Sequence, residues 1–167
     1  MRETIHFAKV KPDAIIPFKK DENAGYDVYL NFEEDYKAIR PHTTVMLPTG
    51  IASACSEDYY FQILERGSTG TKGIGQRCGV IDSGYRGEWF IPITNHNDYY
   101  LVIAKEVDVQ KFHRQYGNFT IVYPYSKAIC QAVLLPVPKT NVKEVTLDEL
   151  LTITSERGEG KLGSSNK

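Results

Sequence analysis

The chain has 167 residues, about the length of one domain. Twenty Lys and Arg against 21 Asp and Glu leave a formal charge of −1, without the basic surplus needed to grip a nucleic-acid backbone. Hydrophobic residues at 41% and charged residues at 25% suit a folded globular domain and exclude a wholly disordered chain.

The opening stretch, MRETIHFAKVKPDAIIPFKK, has no long apolar core and no small-residue cleavage site. No run approaches the roughly 20 apolar residues of a membrane span. The expectation is a soluble, cytoplasmic protein with no membrane or nucleic-acid partner. Short aromatic and β-branched runs follow at 44–47, 59–64, 89–94, 99–104, 119–123 and 129–137, cut apart by Gly, Pro, Asn and Asp. Each has strand length, and none keeps helical spacing over three turns. Pro48, Pro92, Pro124, Pro136 and Pro138 fall at the ends of these runs or within them, which implies edges, bulges or corners. The best helix candidate is Leu147–Leu151, with Thr146 as N-cap and Glu149 three residues later. Many short strands at close spacing make a sandwich or barrel. The chain reads as all-β.

No internal repeat appears, and the division expected is a β domain over 1–154 followed by an arm over 155–167. The arm, SERGEGKLGSSNK, holds three Gly, three Ser and one large apolar residue, Leu162. Alone, it cannot bury enough surface to offset its ordering entropy. It is either a plain tail or one that orders when a ligand arrives. The three cysteines, Cys55, Cys78 and Cys130, are widely spaced, with no CxxC pair or paired His and Cys ligands. That pattern reads as reduced thiols in a cytosolic compartment and not as a zinc site.

The Gly-rich stretch at 66–73, RGSTGTKG, lacks the G-K-[ST] ending of a phosphate loop, and Gly160-Lys161 is followed by Leu162. The strand–helix alternation of a dinucleotide fold is absent as well. What remains is a flexible backbone whose N–H groups can approach an anion, beside the guanidinium fork of Arg66. The alternative is a simple glycine turn. More specific is CGVIDSGYRG at 78–87. It places a carboxylate, Asp82, and a flat ring, Tyr85, at one hairpin, with backbone exposed around Gly79 for pairing with a base. The alternative is a hairpin whose Asp82 only caps the turn. A second acid, Asp27, sits in NAGYDV at 23–28.

Taken together and in order, these segments resemble the trimeric dUTP diphosphatase family over nearly the whole chain. AGYD at 24–27 is similar to the first motif of that family, 66–70 to the second and GVIDSGYRG at 79–87 to the third. Ile129-Cys130-Gln131 resembles the fourth, and ERG at 156–158 with Gly163-Ser164-Ser165 the fifth, glycine-rich arm. Three departures stand out. Gly67 follows Arg66 where the family has Ser, so Ser68 either takes that role or the role is lost. Ser126-Lys127-Ala128 replaces the usual Gly-Asp-Arg, and Leu162 stands where an aromatic normally covers the uracil. The spacing between Asn95 and Gln131 also exceeds the family pattern by about twenty residues, an insertion at about 97–124 that carries Lys105, Lys111, His113 and Arg114.

The resemblance implies a distorted jelly-roll or β-clip barrel, assembled as a homotrimer with each site shared among subunits. It implies hydrolysis of dUTP to dUMP and pyrophosphate with Mg2+, water attacking the α-phosphorus. In that scheme Asp82 acts on the water, and Asp27 orients the metal-bearing polyphosphate through water. Arg66, Gly67, Ser68, Gln131, Arg157, Ser164 and Ser165 bind phosphate. Tyr85 packs under the deoxyribose, backbone at Gly79 and Ile81 reads uracil, and Leu162 covers it. Two alternatives belong to other classes. One is a regulatory interaction module on this fold. The other is a dCTP deaminase, disfavoured because Pro92 stands where that family carries its catalytic Glu.

Overall fold

In the computed structural model, which describes residues 3–77 and 79–158, every apolar run becomes a strand. In chain order the elements are β1 (His6–Lys9), β2 (Gly25–Val28), β3 (Tyr36–Ile39), β4 (Thr44–Pro48), β5 (Ile51–Ala54), β6 (Tyr59–Leu64) and the single-turn helix α1 (Gly67–Gly70). Then come β7 (Ile74–Gln76), β8 (Val80–Ile81), β9 (Phe90–Asn95), β10 (Leu101–Ala104), helix α2 (Val109–Tyr116), β11 (Ile121–Pro124), β12 (Cys130–Pro136) and helix α3 (Leu147–Leu151). The protein is mostly β, as expected.

The strands form four small sheets, ordered β1-β5, β11-β10-β3, β2-β12-β6-β8 and β4-β9-β7. Period-two burial drives them together: Phe61 and Ile63 of β6 are buried while their neighbours are not. Trp89, Phe61, Ile39, Leu47, Ile51, Ile93 and Leu101 meet in one core, each contributing about 1.5–3 kcal/mol by leaving water. The Phe61 and Trp89 rings cross edge-on with centroids 5.1 Å apart. Strand β12 carries the sheet that matters most. It pairs antiparallel with β2 through Gln131↔Asp27 and with β6 through Gln131↔Leu64.

Pro92 departs from the expectation of an edge, because it lies inside β9, the middle strand of its sheet. The β7–β9 register stops at Gln76↔Ile93, so no strand residue of β7 needs the N–H that proline lacks. Its carbonyl still accepts from Arg77 N at 2.9 Å.

Two helices form where none was expected. In α1 the buried Thr69 closes the turn, its hydroxyl donating to Arg66 O at 2.9 Å and accepting from Arg66 N at 3.2 Å. In α2 only Phe112 is buried, too narrow a stripe to show as a helical period. Caps fix its ends: Asp108 accepts from Lys111 N at 2.9 Å, and Gly117 takes φ 106°. The helix joins β10 to β11, which run parallel.

Residues Met1–Val137 form one compact unit and Pro138–Lys167 a second. In the second, α3 has the expected cap, with Thr146 accepting from Glu149 N at 3.2 Å and Glu149 accepting from Thr146 N at 2.8 Å. Among the described residues no helix is long and apolar enough to cross a membrane.

Candidate active site

Register decides which side chains share a cleft. Because Gln131 stands between Asp27 and Leu64, the end of β6 delivers Arg66 and α1 to the side of the sheet where Asp27 lies. There, Asp27, Arg66, Gly67, Ser68 and Gln131 line a cleft of roughly 570 Å³ with Glu22, Asn23, Ala24 and Gly25. Arg66 Nε pairs with Asp27 Oδ1 at 3.1 Å, and Arg66 Nη1 donates to Ala128 O at 3.1 Å. Three of the five guanidinium N–H groups remain for an anion. Gln131 Nε2 donates to Glu65 O at 2.8 Å, which leaves one amide hydrogen for a ligand. Gly25 is required by close approach: a Cβ there would lie 2.5 Å from Gln131 Oε1. Behind the cleft, Cys130 is fully buried, and burial pushes its thiol far above the ordinary range. It is an inert spacer.

A second, smaller cleft of roughly 260 Å³ is lined by Met46, Val80, Ile81, Asp82, Tyr85, Glu88 and Phe90. Tyr85 donates to Glu88 O at 3.0 Å, and its ring is laid against Gly87, where a Cβ would come 2.5 Å from the phenol oxygen. The Asp82 carboxylate is exposed and pairs with no side chain among the described residues. The two clefts lie at opposite edges of one sheet, since β2 and β8 are its outer strands. Three strand intervals and an offset of three residues put the Asp27 and Ile81 Cα atoms roughly 17 Å apart.

A family model described as dUTPase matches residues 11–109. The deoxyuridine 5'-triphosphate nucleotidohydrolase of Clostridium tetani is 30% identical over 98% of this chain and 97% of its own length. The chain belongs to the dUTPase family. Among solved structures, the Staphylococcus bacteriophage 80alpha dUTPase with dUPNHPP superposes with a TM-score of 0.74 at 22% identity, covering 98% of this chain and 99% of that one. A D95N mutant dUTPase from phage phi11 of S. aureus, described as coordinating a structural Mg(II) ion, gives 0.66 at 19% identity over 85% and 96%. At these identities the likeness is one of fold.

In this dUTPase the first, second and fourth motifs converge on one cleft, while the third stands apart at the other. Ser68 lines the cleft beside Gly67, so the serine displaced by one position still faces the site. Around Gly79 and Ile81 the ladder decides which backbone groups are open. Gly79 O accepts from Ile63 N at 2.7 Å, and Ile81 pairs with Phe61. The alternation of an antiparallel ladder therefore turns the backbone of Val80, between them, outward at the sheet edge. Gly79 also meets a packing need: a Cβ would lie 2.9 Å from Ile63 O. Arg157 belongs to the second unit. Leu162, Ser164 and Ser165 lie outside the described residues, as does Cys78.

Sequence reasoning missed four contributors. Glu65 and Ala128 act through backbone carbonyls, which no side-chain pattern reveals. Tyr123 is buried on β11 and donates to Ala128 O at 2.8 Å; it reads in sequence as one more strand aromatic. Glu22 lies two residues before the first motif and lines the cleft.

Proposed function

We propose that this protein hydrolyses dUTP to dUMP and pyrophosphate, water attacking the α-phosphorus, in a homotrimer that uses Mg2+. The observation that carries the reading is the separation of the two clefts. A phosphate-binding set sits at one sheet edge, and a carboxylate with a sugar platform sits at the other. Within one chain they lie roughly 17 Å apart along the sheet, and a symmetric neighbour supplies the missing half to each.

The chemistry follows from what each group has left to give. Arg66, Ser68 and the free amide hydrogen of Gln131 hold phosphate oxygens in line. Asp82, exposed and unpaired among the described residues, orients the water and takes its proton. Tyr85, fixed by Glu88 O and pressed on Gly87, is a rigid plate under the deoxyribose that leaves no room for a 2′-hydroxyl. The outward backbone of Val80 reads the uracil edge. From the arm, Arg157, Ser164 and Ser165 close over the phosphates, and Leu162 covers the base.

The donor set fits magnesium held chiefly by the substrate. Among the described residues no cluster of three or more His, Cys, Asp or Glu could hold a metal. Asp27 has one oxygen engaged by Arg66 and a second open to a metal-bound water, the arrangement an ion that keeps most of its own waters accepts. When bound, Mg2+ spreads the triphosphate charge. The free thiols of Cys55 and Cys130 suit a reducing cytoplasm.

The test is pyrophosphate release by purified protein from dUTP, dCTP, dTTP and UTP. Release from dUTP far above the others is the expected result. No release from any nucleotide would overturn the reading in favour of a binding module, and a trimer mass by light scattering is expected alongside.

A further inference from the structure

One buried polar group near the phosphate cleft has no part in the scheme above. Tyr123 is 2% exposed on β11, in the stretch between Asn95 and Gln131 to which the sequence assigned no role. Its hydroxyl donates to Ala128 O at 2.8 Å, the same carbonyl that receives Arg66 Nη1 at 3.1 Å. Arg66 in turn holds Asp27 at 3.1 Å. Arg66 and, through it, Asp27 thus hang on one carbonyl that the buried phenol fixes.

We propose that Tyr123 is a positioning residue for the phosphate cleft, fixing the Ala128 carbonyl and through it the Arg66 guanidinium in the orientation that receives the triphosphate. The inference deepens the reading of a dUTP hydrolase and rests on it. Burial raises the Tyr123 phenol above its ordinary value while Ser68 and Arg66 pull it down. It stays protonated at neutral pH and goes on donating to Ala128 O. The β10-α2-β11 crossover is then structurally tied to the site, because its last strand carries the residue that organises it.

Tyr123→Phe keeps the ring and removes only the hydroxyl. Ala128 O retains Arg66 as donor, so no buried carbonyl is orphaned, and the thermal midpoint should fall by no more than about 4 °C. Turnover of dUTP should drop about tenfold, with affinity for inorganic triphosphate, measured by calorimetry, weakened by about the same factor. Arg66→Ala should cost less in the Tyr123→Phe background than alone, the non-additivity of groups that share a partner. Tyr116→Phe, which removes a hydroxyl bonded to Tyr36 at 3.2 Å on the same crossover, should leave turnover unchanged. Wild-type kinetics and triphosphate affinity in Tyr123→Phe, additive costs, or equal losses in Tyr116→Phe would each overturn the proposal. Should the wild-type protein release no pyrophosphate from dUTP, the functional reading falls by itself. Triphosphate affinity in wild type and Tyr123→Phe then still decides the role of Tyr123, and equal affinities overturn it.

Discussion

The two edges of the β2-β12-β6-β8 sheet solve opposite problems. At the β2 edge the groups that face an anion are already held: Asp27 holds Arg66, Arg66 holds Ala128 O, and Gln131 holds Glu65 O. At the β8 edge the acid is exposed and unpaired among the described residues, and the apolar side chains Met46, Val80 and Phe90 around it are exposed as well. Binding a polyphosphate calls for donors fixed before it arrives, since ordering them afterwards would subtract from affinity. Moving a proton calls for a carboxylate that no cation neutralises. The ion pair at the first edge is partly exposed, 28% and 31% for its two side chains. It is worth little as stability; its use is to aim Arg66.

The contrast breaks most sharply at Asp82. Asp82→Asn should leave binding of a non-hydrolysable dUTP analogue nearly intact and cut turnover about 10²- to 10⁴-fold, roughly 3–5 kcal/mol of barrier. Arg66→Ala should instead weaken analogue binding. If the two edges meet only across subunits, mixing and reassembling these two inactive variants restores sites that take Arg66 from one chain and Asp82 from another. Random mixing at equal amounts should recover about a quarter of wild-type turnover. No recovery, in a mixture shown by mass to have exchanged subunits, would place both edges of a working site in one chain.

The same contrast explains what the sequence could reveal. Strands with strong aromatic and β-branched runs, such as Tyr59–Leu64 and Cys130–Pro136, were visible because buried residues alternate with more open ones in each, Phe61 and Ile63 in the first and Cys130 and Ala132 in the second. Helix α3 was visible through its cap, Thr146 and Glu149. Helix α2 was not, because a single anchor, Phe112, holds it. At the site, the residues proposed to touch the ligand carry distinctive side chains in short motifs and were legible. Residues that hold those residues were hidden. Ala128 and Glu65 work through carbonyls, Tyr123 arrives from a distant strand, and the outward face of Val80 depends on a register fixed only once Gly79 pairs with Ile63.

The arm sets a third region against both edges, because its composition favours disorder while its proposed role needs order. If it closes over the triphosphate, its ordering cost is met only in the liganded state, and it contributes where charge develops and water must be excluded. Ending the chain after Ser155 should therefore preserve trimer mass and thermal midpoint but lower turnover at least about tenfold. Arg157→Ala should reproduce much of that loss, and Leu162→Phe should be neutral or mildly beneficial, since a ring covers a base better than a branched aliphatic does. Unchanged kinetics after truncation would make the arm a plain tail and leave the two edges sufficient.

The smallest effect tests the β8 edge as a reader of sugar. Tyr85 owes its fixed pose to two local features, the bond to Glu88 O at 3.0 Å and the bare Cα of Gly87 beneath the ring. A plate held this way discriminates by exclusion: a 2′-hydroxyl would have to displace the ring or be buried against it without a partner, at a cost of about 1–3 kcal/mol. Tyr85→Ala removes the obstacle, so UTP turnover relative to dUTP should rise about 5- to 100-fold, while dUTP turnover falls by less than the Asp82 variant loses. Gly87→Ala offers the complementary perturbation, because the added methyl forces the ring from its seat without deleting it. It should relax sugar choice in the same direction and by a smaller factor. If the UTP to dUTP ratio is unchanged in both variants, Tyr85 plays no part in choosing the sugar. The rigidity of the hairpin would then serve only to hold Asp82 in place.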